Sequence, residues 1–275
     1  MFLLTDRQQF LTAVLIYGVS TIYSVFLWRK AFREDNRINY CLLLGGFVFH
    51  TMAMVSRGFS FNRCPVNNLY EAMAFVLWTI VAAYLVIGLL PRIRFLGAFA
   101  SPLLFCLGVF ALMPGLDTPY SPGKPEFKPG WASLHAALIL LSYGSFGLGS
   151  VAGLMYLTQD NDLKFHKLRA ILSLLPPIQR LETVISRLLL AGFVLLTLGL
   201  AVGAIWLKLP DGTSYFRDLK VIWSFFIWLV YLAMIISRWR FNQRGRRFAW
   251  SAVGSFAFII LTFWGSNLAS AIHNP

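Results

Sequence analysis

Apolar residues in this chain come in long unbroken runs rather than in alternation. Eight stretches, at 9–28, 38–56, 69–90, 95–113, 131–157, 184–206, 219–237 and 249–271, hold about twenty or more residues each with few charges. A helix crossing the roughly 30 Å hydrocarbon core of a bilayer needs about 20 such residues. The pattern predicts an all-α integral membrane protein, a bundle of about eight transmembrane helices. Two of the intervening links are long. The link 114–130 carries Pro114, Pro119, Pro122, Pro125 and Pro129 and is ordered by proline rather than by helix. The link 159–180 places Leu163, Leu168, Ile171, Leu172 and Leu175 near one helical face, opposite Lys164, Lys167 and Arg169, and stops at Pro176-Pro177. It predicts a helix lying on a membrane surface. No internal repeat is visible, so residues 1–275 read as a single bundle domain.

Composition agrees. The chain is 58% hydrophobic and 13% charged, against about 45–50% and about 25% for a soluble domain. Three cysteines in 275 residues exclude a disulfide scaffold. The net charge of +13 would point to nucleic acid in a soluble protein, but here its distribution follows the loops. Sixteen Lys and Arg fall on one side of the eight spans, in 29–37, 92–94, 164–187 and 238–247, and eight on the other. Short basic loops stay in the cytoplasm. Both termini are therefore expected on the outer, non-cytoplasmic side, and no nucleic-acid partner is implied. The first run lacks a basic leader and a small-residue cleavage site, so it reads as a permanent helix rather than a signal peptide.

Chemistry-bearing residues gather by depth. His135 sits at the outer end of the fifth span, His273 just past the outer end of the eighth, and His50 in the outer half of the second. His166 lies alone on the inner side, where nothing favours a role beyond solvation. Two neutral histidines from different helices can hold one haem iron axially. Each is equally readable as an interfacial hydrogen-bonder. Zinc would want four ligands at local spacing, and Cys41, Cys64 and Cys106 are scattered. The motif Cys64-Pro65-Val66-Asn67-Asn68-Leu69-Tyr70-Glu71 opens the third span, with Asn68 as N-cap and Glu71 completing a capping box. Arg57 and Arg63 on the same side could pair with a ligand's carboxylates. Glycines of the fifth span, including the Gly149/Gly153 step, predict close helix packing. No P-loop, dinucleotide fingerprint or nucleophilic triad is present.

Several segments together resemble the CcsA/ResC type of cytochrome c biogenesis proteins. They are Phe47-Val48-Phe49-His50-Thr51 through Arg57 to Pro65–Glu71, then Trp131-Ala132-Ser133-Leu134-His135. They continue as Leu198-Gly199-Leu200 to Gly203-Ala204-Ile205-Trp206, Trp228-Leu229-Val230-Tyr231, Gly245-Arg246-Arg247, and Gly265-Ser266-Asn267-Leu268 to His273. The match covers 45–275 in order. The resemblance implies that His135 and His273 are the axial histidines of a haem b, held as ligand or substrate. It implies an aromatic loop between them that cradles the haem for attachment to the thiols of a c-type apocytochrome. A CcsB/ResB-like membrane protein is the implied partner. The chain would then be the haem-handling subunit of a holocytochrome c synthase (haem lyase), in a bacterial inner membrane or a thylakoid. The expected haem contacts are His50, Trp206, Tyr215, Arg217, Asp218, Lys220, Asn68 and Glu71 beside the axial pair.

Two departures mark a divergent member. In the loop before the seventh span, Asp218 and Lys220 fit the family pattern, Tyr215 replaces one tryptophan and Arg217 another. The inner end of that span reads Ala233-Met234-Ile235-Ile236-Ser237, without the family's histidine. These losses leave open a HemX-like, non-catalytic regulator of haem synthesis. A transporter is a third reading, although paired broken helices are not evident.

Overall fold

A computed structural model describes residues 4–29, 36–61, 68–89, 94, 96–117, 129–165, 178–206 and 217–270. Among them are eight helices and no strand: α1 (Asp6–Arg29), α2 (Asn36–Phe61), α3 (Leu69–Ile87), α4 (Gly97–Ala111), α5 (Pro129–Phe165), α6 (Ile178–Trp206), α7 (Leu219–Arg240) and α8 (Arg246–Leu268). Each predicted apolar run coincides with one of them. Among the described residues, α1, α2, α3, α5, α6 and α7 are long and apolar enough to cross a membrane. At 15 residues, α4 is shorter than its 19-residue run predicts. It spans only about 22 Å at 1.5 Å per residue. Its end is set by the turn through Pro114 and Gly115, where Gly115 takes a φ of 87°. The predicted surface helix at 159–180 begins differently: α5 continues without a break to Phe165. Residues 166–177, with His166, lie outside the described residues, and the link ends in the first turn of α6.

Capping residues place two helix starts. Asn68 accepts the Glu71 N–H at 2.8 Å at the start of α3, as the motif predicts. Asp218 opens α7 by accepting the N–H groups of Lys220 and Val221 at 3.0 and 3.1 Å. Between α7 and α8 the chain turns through Asn242 and Gly245, both at positive φ.

Helices α1–α4 pack on one another, as do α5–α8, and the two groups meet chiefly where α3 lies against α5. α5 is the central post because its glycines admit three neighbours. A Cβ on Gly144 would overlap Thr79 of α3, one on Gly149 would press on Leu189 of α6, and one on Gly153 would lie 3.1 Å from the Ala249 carbonyl of α8. The predicted close-packing role of these glycines is thus realised toward three different helices.

Indole N–H groups supply directional ties within the apolar bundle. Trp78 donates to Thr51 at 2.9 Å, Trp223 to Thr262 at 2.8 Å and Trp228 to Thr197 at 2.9 Å, joining α3 to α2, α7 to α8 and α7 to α6. In every case the threonine hydroxyl donates its own proton to the carbonyl four residues back. Both partners are thereby satisfied where no water competes.

Candidate functional site

At the end of the bundle where α1 begins and α8 ends, α5 and α6 lie against each other in opposite directions. Three layers of side chains join them. Trp131 stacks on Trp206 with ring centroids 4.7 Å apart and planes 8° from parallel. One turn deeper on α5, His135 lies on Gly203 and Gly199 of α6. One turn deeper again, Ile139 covers Gly199.

His135 Nδ1 is 2.8 Å from the Gly199 carbonyl oxygen. A carbonyl can only accept, so Nδ1 carries the proton and donates it. In the neutral ring Nε2 then holds the lone pair, the form in which histidine ligates iron. The ring is half-buried, within reach of an approaching ligand. The donor chemistry therefore fits an axial position on a haem, with the stacked tryptophans beside it as an apolar flank.

The start of α7 and the end of α8 are tied at the same end of the bundle. Asp218 Oδ2 accepts the Ser270 hydroxyl at 2.7 Å, and both residues are buried. Ser270 is the last described residue and stands three positions before His273 in the sequence. Lys220 holds its Nζ 4.2 Å from the centre of the Phe263 ring and is near enough to His135 to act on it electrostatically. Arg217 points to the exterior. His273 and Tyr215 lie outside the described residues. The structure thus brings His135, Trp206, Asp218 and Lys220 to one end of the second helix group.

The other expected contacts belong to the first group. His50 is enclosed completely. Its Nδ1 is 3.2 Å from the Tyr17 hydroxyl, its ring meets Phe10 edge-on, and its Nε2 has no hydrogen-bond partner. Asn68 and Glu71 join an ion cluster around Arg57. The Arg57 guanidinium donates to Glu71 at 2.7 Å, to Asp6 at 2.8 Å and, through two nitrogens, to Asp117. Asn68 also donates to Asp117 at 2.8 Å, and the Tyr70 ring lies under the guanidinium. The carboxylates that Arg57 meets are the protein's own rather than a ligand's. Among the described residues no three His, Cys, Asp or Glu are grouped to hold a metal ion.

The family model described as "Cytochrome C assembly protein" matches residues 66–273. The chain belongs to the cytochrome c assembly protein family. Proteins named cytochrome c biogenesis protein CcsA are similar along most of its length. One from Prochlorococcus marinus subsp. pastoris is 28% identical, covering 82% of this chain and 79% of its own. Another from Prochlorococcus marinus strain MIT 9312 is 29% identical, covering 82% and 80%. One from Trieres chinensis is 26% identical over 98% of this chain and 97% of its own. As a member of this family the chain acts in cytochrome c assembly, and it is an integral membrane protein. Its family segment contains both α5 with His135 and the tie between Asp218 and Ser270.

Proposed function

We propose that this protein holds haem between His135 and His273 on the outer side of its membrane and presents it to a c-type apocytochrome. The observation that carries the reading is the His135 ring, whose Nδ1–H is committed to the Gly199 carbonyl, leaving Nε2 to an iron. Bound there, haem supplies the vinyl groups that react with the apocytochrome thiols. His135 and His273 would each hold the iron through an imidazole nitrogen. Trp131 and Trp206 shield one side of the site from water, and Asp218 ties Ser270, three positions before His273, to the start of α7. Lys220, half-buried beside His135, is placed to meet a propionate by a charge-assisted hydrogen bond. Eight spans, with both termini outside, put these residues in the compartment where c-type cytochromes mature. The membrane is a bacterial inner membrane or a thylakoid, and a CcsB-like membrane protein is the expected companion.

The test is the absorption spectrum of the purified protein. A Soret band should be present in the wild type and weaken in both His135→Ala and His273→Ala. If both variants keep wild-type haem content and spectrum, the axial assignment is wrong.

A further inference from the structure

The haem reading requires one particular nitrogen of His135 to face outward, and α6 contains a feature that would enforce this. Gly199 and Gly203 are four residues apart, on one face of the helix. A Cβ at Gly203 would lie 2.8 Å from both Nδ1 and Cε1 of His135, and one at Gly199 would lie 2.7 Å from Ile139 Cδ1 and 3.2 Å from the Ile139 backbone nitrogen. Real Cβ atoms do not sit at the shorter of these distances, so α5 and α6 approach this closely only because both positions are glycine.

The hydrogen bond depends on the same absence. In a helix every Cα–Cβ bond tilts toward the N-terminus, so a side chain at 203 would overhang the carbonyl at 199. Glycine leaves that carbonyl open to a second donor from α5. The Nδ1–Cε1 edge of the ring therefore rests in the notch, with Nδ1 committed to the carbonyl and Nε2 left as the nitrogen outside that bond. One turn above, the Trp131–Trp206 stack closes the notch and keeps the ring from swinging out.

We infer that Gly199 and Gly203 are positioning residues for the haem ligand: their notch fixes the tautomer and the direction of His135. The inference rests on the haem reading of the same site, and the experiment separates the two. Full-length protein labelled with 15N-histidine and free of haem would be studied in detergent, with His135 assigned by the signal lost in His135→Gln. Wild type should show His135 with Nδ1 protonated and Nε2 bare. Gly203→Ala should shift it toward the other tautomer. The same variant should lower haem content several-fold and alter the electron paramagnetic resonance of the ferric form. In His135→Gly reconstituted with free imidazole, which is not tethered to α5, adding Gly203→Ala should change neither.

A wild-type His135 protonated at Nε2 overturns the inference without any variant, which covers the case in which Gly203→Ala fails to fold. A folded Gly203→Ala that keeps both the tautomer and the haem spectrum also overturns it, and leaves the glycines to helix packing alone. Protein with the expected tautomer that takes up no haem sinks the haem reading while the geometry of the notch stands.

Discussion

Arg57 puts a full charge inside a helix that runs through apolar surroundings, which is tolerable only when the charge is paired on every side. Only 8% of the residue is exposed, and Glu71 is completely enclosed. Removing the guanidinium leaves that carboxylate without its cation. Breaking a buried pair from one side costs about 3–5 kcal/mol. Arg57→Met, which keeps the length of the side chain and drops its charge, should lower the thermal midpoint of the detergent-solubilised protein strongly. Glu71→Gln should lower it less, since Asp6 and Asp117 remain. Equal midpoints for Arg57→Met and wild type would show that the cluster adds nothing to stability. Asn68 as a cap was legible from its place before an apolar run. The partners of Arg57 were not, because Asp6 and Asp117 lie 51 and 60 positions away in the chain and neither stands in a local pattern. Gly203 stood in the sequence only as part of a family-like segment, and its contact with His135 was not legible for a similar reason: one glycine among 21 signals no partner until the ring resting on it is seen.

At the scale of elements, the apolar runs gave the helices because a bilayer leaves a spanning chain few other ways to satisfy its backbone. What the runs did not give was which helices touch, since lipid-facing and helix-facing apolar residues look alike in sequence. Tryptophan and threonine resolve part of this. Thr197→Val and Thr262→Val keep shape but remove the acceptor for an indole N–H, and each should cost about 1 kcal/mol. The bonds join different helix pairs, so the double variant should show the sum of the two losses. A shortfall, measured by denaturant titration in mixed micelles, would mean that α6, α7 and α8 share one coupled seam. The contact of α3 with α5 has its own probe. Gly144→Ala drives a methyl into Thr79, an overpacking worth about 1–3 kcal/mol. Adding Thr79→Ala should recover most of it. No recovery would show that the tight place lies elsewhere along the seam.

For the molecule as a whole, the division of helices into two groups sorts the histidines. His50 belongs to α1–α4 and His135 to α5–α8. The segment 233–237 of α7 offers no histidine. A second bis-histidine haem therefore has no visible pair of ligands, and the protein purified alone should carry at most one tightly held haem. Pyridine haemochrome assay against protein concentration measures this, and two haems per chain would refute it. The predicted sidedness is open to the same kind of check. A reporter active only in the cytoplasm should work when fused at residue 170 and at residue 242. Activity of an externally selective reporter at residue 170 would invert the bundle and move His135 away from the apocytochrome.

The ion cluster around Arg57 bears on how the protein is made. Its last member, Asp117, is synthesised before α5 begins at Pro129, and its partners among the described residues all come from earlier in the chain. The first four helices can therefore lock together while the other four are still being synthesised. A nascent chain arrested soon after α4 enters the membrane should already resist added protease, and the same chain carrying Asp117→Ala should resist it less. The later helices would then assemble on a finished platform, with α5 the first to dock on α3.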